Sequence, residues 1–282
     1  MTQEEMLVST GLNWKVESEG LQTLPSGIIV PDRVALIRED TRKVLGIHAK
    51  SYVPYQNNEL LELLFKISQQ SGLRVHSGGC FKGGQRVWFQ LKSNDLNIGT
   101  DRVEGFISGM NSFDGSSSLA FGNSKTTISC GNTWWTVYRE VDTRLRHSST
   151  MIPRIEEILR KIDILLEEEQ EGFAEIQRLG NTTMTSDMKE LVTRMLFNLD
   201  KEEQLDGDEL STRMQNNILR FELDVDTEVQ GKGSNLWGLF SGVTRYTTHS
   251  MKKDKDNSEA KMFGHTGVVE RKIYNELVGM TV

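Results

Sequence analysis

The apolar residues change their period near Pro153, and that change commits the chain to a mixed fold. Before Pro153, in Arg86–Lys92, Val87, Phe89 and Leu91 fall on one side. Arg86, Trp88, Gln90 and Lys92 fall on the other, the two-residue period of a half-buried strand. After it, Ile155, Ile158, Leu159, Ile162, Leu165 and Leu166 recur at spacings of three and four, which predicts a long amphipathic helix reaching about Leu179. Strands first and helices afterwards make the expected class α+β: a curved antiparallel sheet with hairpins and a packing helix, then a mainly helical C-terminal region. The boundaries read as an N-terminal arm over 1–27, closed by Pro25-Ser26-Gly27, an α+β core over 28–150 and a helical region over 151–282.

Local signals fill in this plan. Val34–Arg38 and Val44–His48 form a hairpin across the turn Asp40–Lys43. Asn57 or Asn58 caps a helix running to Ser71, with Leu60, Leu61, Leu64 and Ile67 on its apolar side and Gly72 at its end. Gly83-Gly84-Gln85 reads as a hairpin turn. Val103–Met110 is a strand, and Ser118–Phe121 and Thr126–Cys130 are a further pair. Asn132 is placed to cap a helix containing Trp134, Trp135, Val137 and Tyr138. Later helices are expected after Ser186, over about Ser211–Leu223, from Leu236 to His249 and from about Val268. Trp14 in the arm is either a docking aromatic or an ordinary strand residue.

Composition excludes several classes. No apolar run approaches the roughly 20 residues of a membrane span. The first residues show no basic-then-apolar leader, so the expected location is the cytoplasm, a host cytoplasm if the chain is encoded by a phage. The only cysteines, Cys80 and Cys130, make no disulfide framework. The first 150 residues carry 16 Lys/Arg against 15 Asp/Glu, whereas the rest carry 17 against 25, so any basic stripe is local to the first half.

The candidate chemistry lies in that half. The outward side of the alternating strand, with Arg86, Trp88 and Lys92, offers cations beside an aromatic, a platform for a phosphate and a base or else a solvated strand face. Arg139, Arg144, Arg146 and His147 form the densest basic cluster. Asn111, Asp114, Gly115 and Ser116 combine a turn-forming Asp-Gly with hydroxyls that either present acceptors and backbone N–H groups or satisfy one another as an Asx turn. Cys130 with a histidine suggests a thiol nucleophile, and Asp114 with His147 and His249 a metal set, but neither has ligand spacing. The chain has no His-Glu-x-x-His, no Cys-x-x-Cys and no phosphate loop, so no cofactor and no metal are expected. The Glu-rich side of the 153–179 helix reads as a solvated face or a contact between copies.

Several segments together resemble a family of phage/plasmid-like proteins that share one domain of unknown function. They are Val44-Leu45-Gly46-Ile47 with Tyr52 and Gln56–Leu60, Asn111–Ser116, Cys130-Gly131-Asn132-Thr133, Arg146-His147-Ser148, and Leu236-Trp237-Gly238-Leu239-Phe240 with Val243-Thr244, Tyr246 and His249. The resemblance spans about residues 34–249. Where the family shows Asn-Ala, this chain has Ser241-Gly242, so any role of that Asn is absent here. The resemblance implies a phage or mobile-element setting and no particular activity.

The element order is also similar in plan to phage single-strand annealing proteins. The leading expectation is therefore ATP-independent binding and annealing of single-stranded DNA, or RNA, by a homo-oligomeric ring or filament without membrane attachment. Arg86, Trp88, Lys92, Arg139, Arg144, Arg146 and His147 would hold the strand. The alternatives are a counter-defence factor whose acidic helices engage a host protein, and a hydrolase or nuclease using Asp114 and His147. Enzymatic activity is left open, with a binding role favoured.

Overall fold

The computed structural model describes residues 2–99, 101–127, 133–137, 145, 147, 155–156, 159, 162–199, 210–251 and 258–281. The chain divides into two compact units, each with its own hydrophobic core. Residues 1–93, 106–123 and 137–168 form the first; 94–105, 124–136 and 169–282 form the second. Two antiparallel sheets and a mainly helical C-terminal region give the expected α+β class.

The first unit opens with helix α1 (Gln3–Ser9) and a three-stranded sheet in the order β1 (Val16–Gln22), β2 (Ile29–Arg38), β3 (Val44–Ala49). The β2–β3 hairpin pairs Ala35 with Ile47 and Leu36 with Gly46, as its alternation predicts. Residues 1–27, read as an arm, contribute Met6, Leu12, Trp14 and Val16 to the first core. Trp14 is anchored rather than loose. Its indole N–H donates to the Gly11 carbonyl at 3.0 Å, and the Arg38 guanidinium lies 4.4 Å above its ring.

Helix α2 (Asn57–Ser71) buries Leu60, Leu61, Leu63, Leu64 and Ile67 on one side. Its cap is Gln56 and not Asn57 or Asn58: the Gln56 backbone N–H donates to Glu59 Oε2 at 2.7 Å. Asn57 serves another purpose. It is buried, and its amide reaches the carbonyls of Leu12 and Trp14, tying the helix to the N-terminal segment.

The second sheet runs β4 (Arg74–Phe81), β5 (Arg86–Ile98), β6 (Asp101–Ser112), β7 (Ala120–Thr127), β8 (Thr133–Val137). The Gly83-Gly84 turn joins β4 to β5, and Val87, Phe89 and Leu91 are fully buried as the alternation requires. Two expectations fail. Residues 120–127 are one continuous strand, because Asn123 and Ser124 are buried within it and make no turn. Trp134, Trp135 and Val137 lie on a strand and not a helix, in keeping with the β preference of aromatic and β-branched residues.

The helical part comprises α3 (Ile162–Asn181), α4 (Ser186–Phe197), α5 (Thr212–Lys232), α6 (Leu236–Arg245), a π-helical turn (Tyr246–Ser250), α7 (Ser258–Phe263) and α8 (His265–Gly279). Among the described residues no helix is long and apolar enough to cross a membrane. Helix α5 continues past the expected end at Leu223. Its inward side there carries Asp224, Glu228 and Lys232, spaced one helical turn apart and buried. They persist because they are paired: Lys232 lies 3.3 Å from Asp101, and Arg245 reaches Asp224 at 3.2 Å and Glu228 at 3.3 Å. Gly242 lets α6 approach α5, since a Cβ there would meet the Val225 backbone at 2.7 Å.

Helix α3 corrects a further expectation. Glu169 does not belong to a solvated face. It is buried and accepts from Lys125 Nζ at 2.8 Å, in a second unit where Lys125 also lies 4.4 Å from the Phe173 ring. Burial lowers the Lys125 pKa while the carboxylate opposes it. Breaking such a pair leaves an uncompensated buried charge, which typically costs about 3–5 kcal/mol. Glu169→Ala should lose stability of that order in denaturant melts. Lys125→Met with Glu169→Leu should recover most of it, because the double change removes both charges.

Candidate functional site

The convergence of motifs in the first unit starts from Phe113. Its side chain is buried and meets the Trp14 ring edge-on at 5.9 Å. Its N–H donates to the Gln85 carbonyl at 2.7 Å, and the Gln85 amide donates to the Leu45 carbonyl at 2.8 Å. The loop after β6 is thereby fastened to both sheets. Gly46 is required under it, because a Cβ would lie 2.3 Å from the Phe113 carbonyl oxygen.

That carbonyl accepts from His48 Nε2 at 2.8 Å. A carbonyl only accepts, so Nε2 carries the proton. The ring of His48 stacks on Tyr52, with centroids 4.0 Å apart and planes 26° from parallel. Tyr52 stacks in turn on His147 at 4.8 Å and 24°. Each ring is held by a main-chain oxygen: the Tyr52 hydroxyl donates to Ser112 at 3.1 Å, and His147 Nδ1 donates to Val53 at 3.3 Å. The result is a half-buried column of three nearly parallel rings, two from neighbouring positions 48 and 52 and the third from position 147.

The Asp-Gly turn beside the column satisfies itself. Asp114 Oδ1 accepts the Ser116 N–H at 2.9 Å and also the Ser116 hydroxyl. The Ser112 hydroxyl accepts the Ser117 N–H at 3.0 Å and donates to the Ser117 carbonyl at 2.7 Å. Gly115 adopts φ +76°, and a Cβ there would meet His48 at 3.1 Å. Arg86 Nε lies 3.3 Å from Asp114 Oδ2. Burial works against the Asp114 charge, but the Ser116 and Arg86 interactions outweigh it and hold the carboxyl below its ordinary range. Burial raises the Tyr52 pKa, with the Asp114 charge adding to it.

The other expected residues scatter. On the outward side of β5, the Trp88 ring lies against Gly79 across the strand pair, where a Cβ would approach it to 3.1 Å. Gln90 accepts from the Ser77 hydroxyl at 2.9 Å, and the Lys92 ammonium lies 4.9 Å from the Phe106 ring centroid. With Arg86 turned to Asp114, that side is knitted together internally rather than laid open as a row of cations. Asn111 is buried, and its amide donates to the Tyr55 carbonyl at 2.7 Å. Trp237 is fully buried in the second core, 6.2 Å from Phe240, and His249 is exposed on the π-helical turn. Cys130, Asn132, Arg139, Arg144 and Arg146 lie outside the described residues. Among the described residues no group of three His, Cys, Asp or Glu side chains is placed to hold a metal. Among them, too, neither His48 nor His147 is bonded to a hydroxyl or thiol.

A family described as a domain of unknown function, DUF932, matches residues 44–265. The chain is a DUF932 protein. No curated protein and no solved structure matches it. The matched span of this DUF932 chain contains the whole ring column, the Asn111–Ser116 loop, Trp237 and His249. His48 and Tyr52 were not singled out as binding residues from the sequence. The available signal was the order of the short motifs: Val44–Ile47 with Tyr52, Asn111–Ser116 and Arg146–Ser148 supply or adjoin the rings and the loop that supports them.

The column has a pH signature. Burial lowers the His147 pKa from 6.5 to about 4, with the Val53 hydrogen bond opposing and the neighbouring His48 adding. Between those values the unfolded chain binds the proton and the folded chain does not. This contribution is therefore complete above pH 6.5 and declines as pH falls toward 4. Denaturant midpoints should fall across that window, and His147→Phe, which keeps a ring but cannot titrate, should flatten the decline. Asp114, whose pKa is lowered, loses its contribution only as pH falls through its folded value, beneath the ordinary 3.8.

Proposed function

We propose that this DUF932 chain binds single-stranded nucleic acid, DNA in the first place, and does so without ATP. The observation that carries this reading is the half-buried column His48–Tyr52–His147. A ring held rigidly by main-chain hydrogen bonds is a stacking surface for any base, since every base has a π-face and stacking contributes about 1–3 kcal/mol per base. The column has no bonded nucleophile among the described residues, which favours binding over hydrolysis. Arg144 and Arg146 stand close to His147 in sequence and supply the phosphate contacts in this reading. Such contacts release counterions, which makes affinity fall with salt. The net charge of −7 limits these contacts to a local patch. The resemblance to phage/plasmid-like proteins supplies the setting: protecting or annealing strands during recombination of a mobile element, by several copies acting together.

Tyr52 tests the reading. Tyr52→Phe keeps the central ring between the two imidazoles and should retain affinity for a fluorescent single-stranded oligonucleotide, whereas Tyr52→Leu removes the ring on which both histidines stack and should lower affinity by up to the roughly 1–3 kcal/mol of one stacked base. A folded Tyr52→Leu protein that binds as tightly as the parent would remove the column from the interface. Arg144→Ala with Arg146→Ala should reduce the log–log salt slope by about 0.7 for each phosphate that is no longer neutralised. An unchanged slope would withdraw the basic cluster.

A further inference from the structure

The β1–β2 hairpin ends in a tip that no described residue of its own chain covers. Residues 20–31 contain no charged side chain, in a chain where 26% of residues are charged. Leu24, Ile28 and Ile29 in this tip are 88%, 65% and 74% exposed. Strand β3 pairs with β2 only over Arg33–Ile37, so the tip extends beyond the third strand. A second apolar patch lies on β3. Val44 and Ile47 are 51% and 61% exposed and sit beside the buried Ile37 and Ala35, their cross-strand partners. Glu17 and Glu19 border this patch through β1, and Arg42 pairs with both.

We propose that the hairpin tip of one copy docks on the β3 patch of a second copy, head to tail. Three observations select a second copy as the occupant. A nucleic acid or a charged lipid surface would be met by cations, and the tip has none. Copies of a chain with net charge −7 repel one another, so a charge-free tip is the part that can approach another copy without like-charge cost. The same small sheet also carries a projecting apolar donor and an exposed apolar acceptor that leave each other unsatisfied within one chain. Docking is by side chains and not by strand addition, because Pro25 and Pro31 remove N–H donors from the tip. Contact between two different patches is heterologous and generates a ring where the rotation closes, or an open filament where it does not. The patch shares strand β3 with His48, Ile47 and His48 being consecutive and so on alternate sides of the strand, and the proposal does not depend on the nucleic-acid reading.

Sedimentation velocity without nucleic acid tests it. The parent should form species larger than a dimer as concentration rises. Ile28→Asp with Ile29→Asp should be monomeric, and so should Ile47→Asp, each with an unchanged far-ultraviolet spectrum and thermal midpoint. An equimolar mixture of the two variants should form a dimer and nothing larger, because only one intact tip can meet one intact patch. Leu24→Asp, at the most exposed tip position, replaces the double variant if that one fails to fold. A parent that stays monomeric at concentrations approaching millimolar overturns the proposal. So do folded tip or patch variants that keep the parent's mass, or a variant mixture that stays monomeric.

Discussion

The hold on Phe113 is the constraint from which the site in the first unit follows. One residue is fixed through its ring on Trp14, its N–H on Gln85 and its carbonyl on His48. Fixing that carbonyl orients the His48 imidazole, and Tyr52 stacks on it while donating to the neighbouring Ser112 carbonyl. The Asp114–Ser116 turn then serves as a brace that closes the loop upon itself. Its Asp and Ser residues resemble a presented ligand set in sequence, yet their hydrogen-bonding capacity is largely used within the loop. Beside it stand the three half-buried rings of the column.

The second unit is stabilised differently. Its core contains Trp237, Phe240, Tyr274 and Phe221, and it also encloses full charges. Lys125 with Glu169, Lys232 with Asp101 and Glu228, and Lys261 with Glu270 are buried ion pairs. Burial raises the Glu270 pKa, against the pull of Lys261 and the Thr247 hydroxyl. Buried pairs of this kind add little net stability over well-packed apolar residues, but each partner makes the other indispensable. The acidic bias of the C-terminal half is therefore partly interior and does not translate directly into an acidic surface.

These differences explain what the sequence disclosed. Alternation in Arg86–Lys92 and the helical spacing of Leu60, Leu61, Leu64 and Ile67 survive folding, because a core selects apolar side chains at a fixed period. The same logic ended α5 too early at Leu223, since Asp224, Glu228 and Lys232 face inward where apolar residues are expected. It misread Thr133–Val137, where an Asn in cap position outweighed the β preference of two tryptophans and a valine. The ring column was the least legible element. His48 and Tyr52 are near in sequence, but His147 is 95 positions beyond Tyr52, and periodicity carries no information across such a gap. Only the joint appearance of their short motifs within one family could have pointed to a common place, and it was not read that way.

Under the proposed function, the aromatic column, the braced turn and the apolar hairpin tip join in a protein that would present a surface to a long polymer and repeat it by association. The most direct measurement is the ring resonances of His48 and His147 in a protein labelled at histidine, followed while a short single-stranded oligonucleotide is added. Stacking of a base on the column predicts saturable upfield ring-current shifts at both histidines, weakening as salt is raised, with His76, His249 and His265 unmoved. Binding of the oligonucleotide that leaves the His48 and His147 resonances in place would contradict the assignment of the column as the nucleic-acid platform.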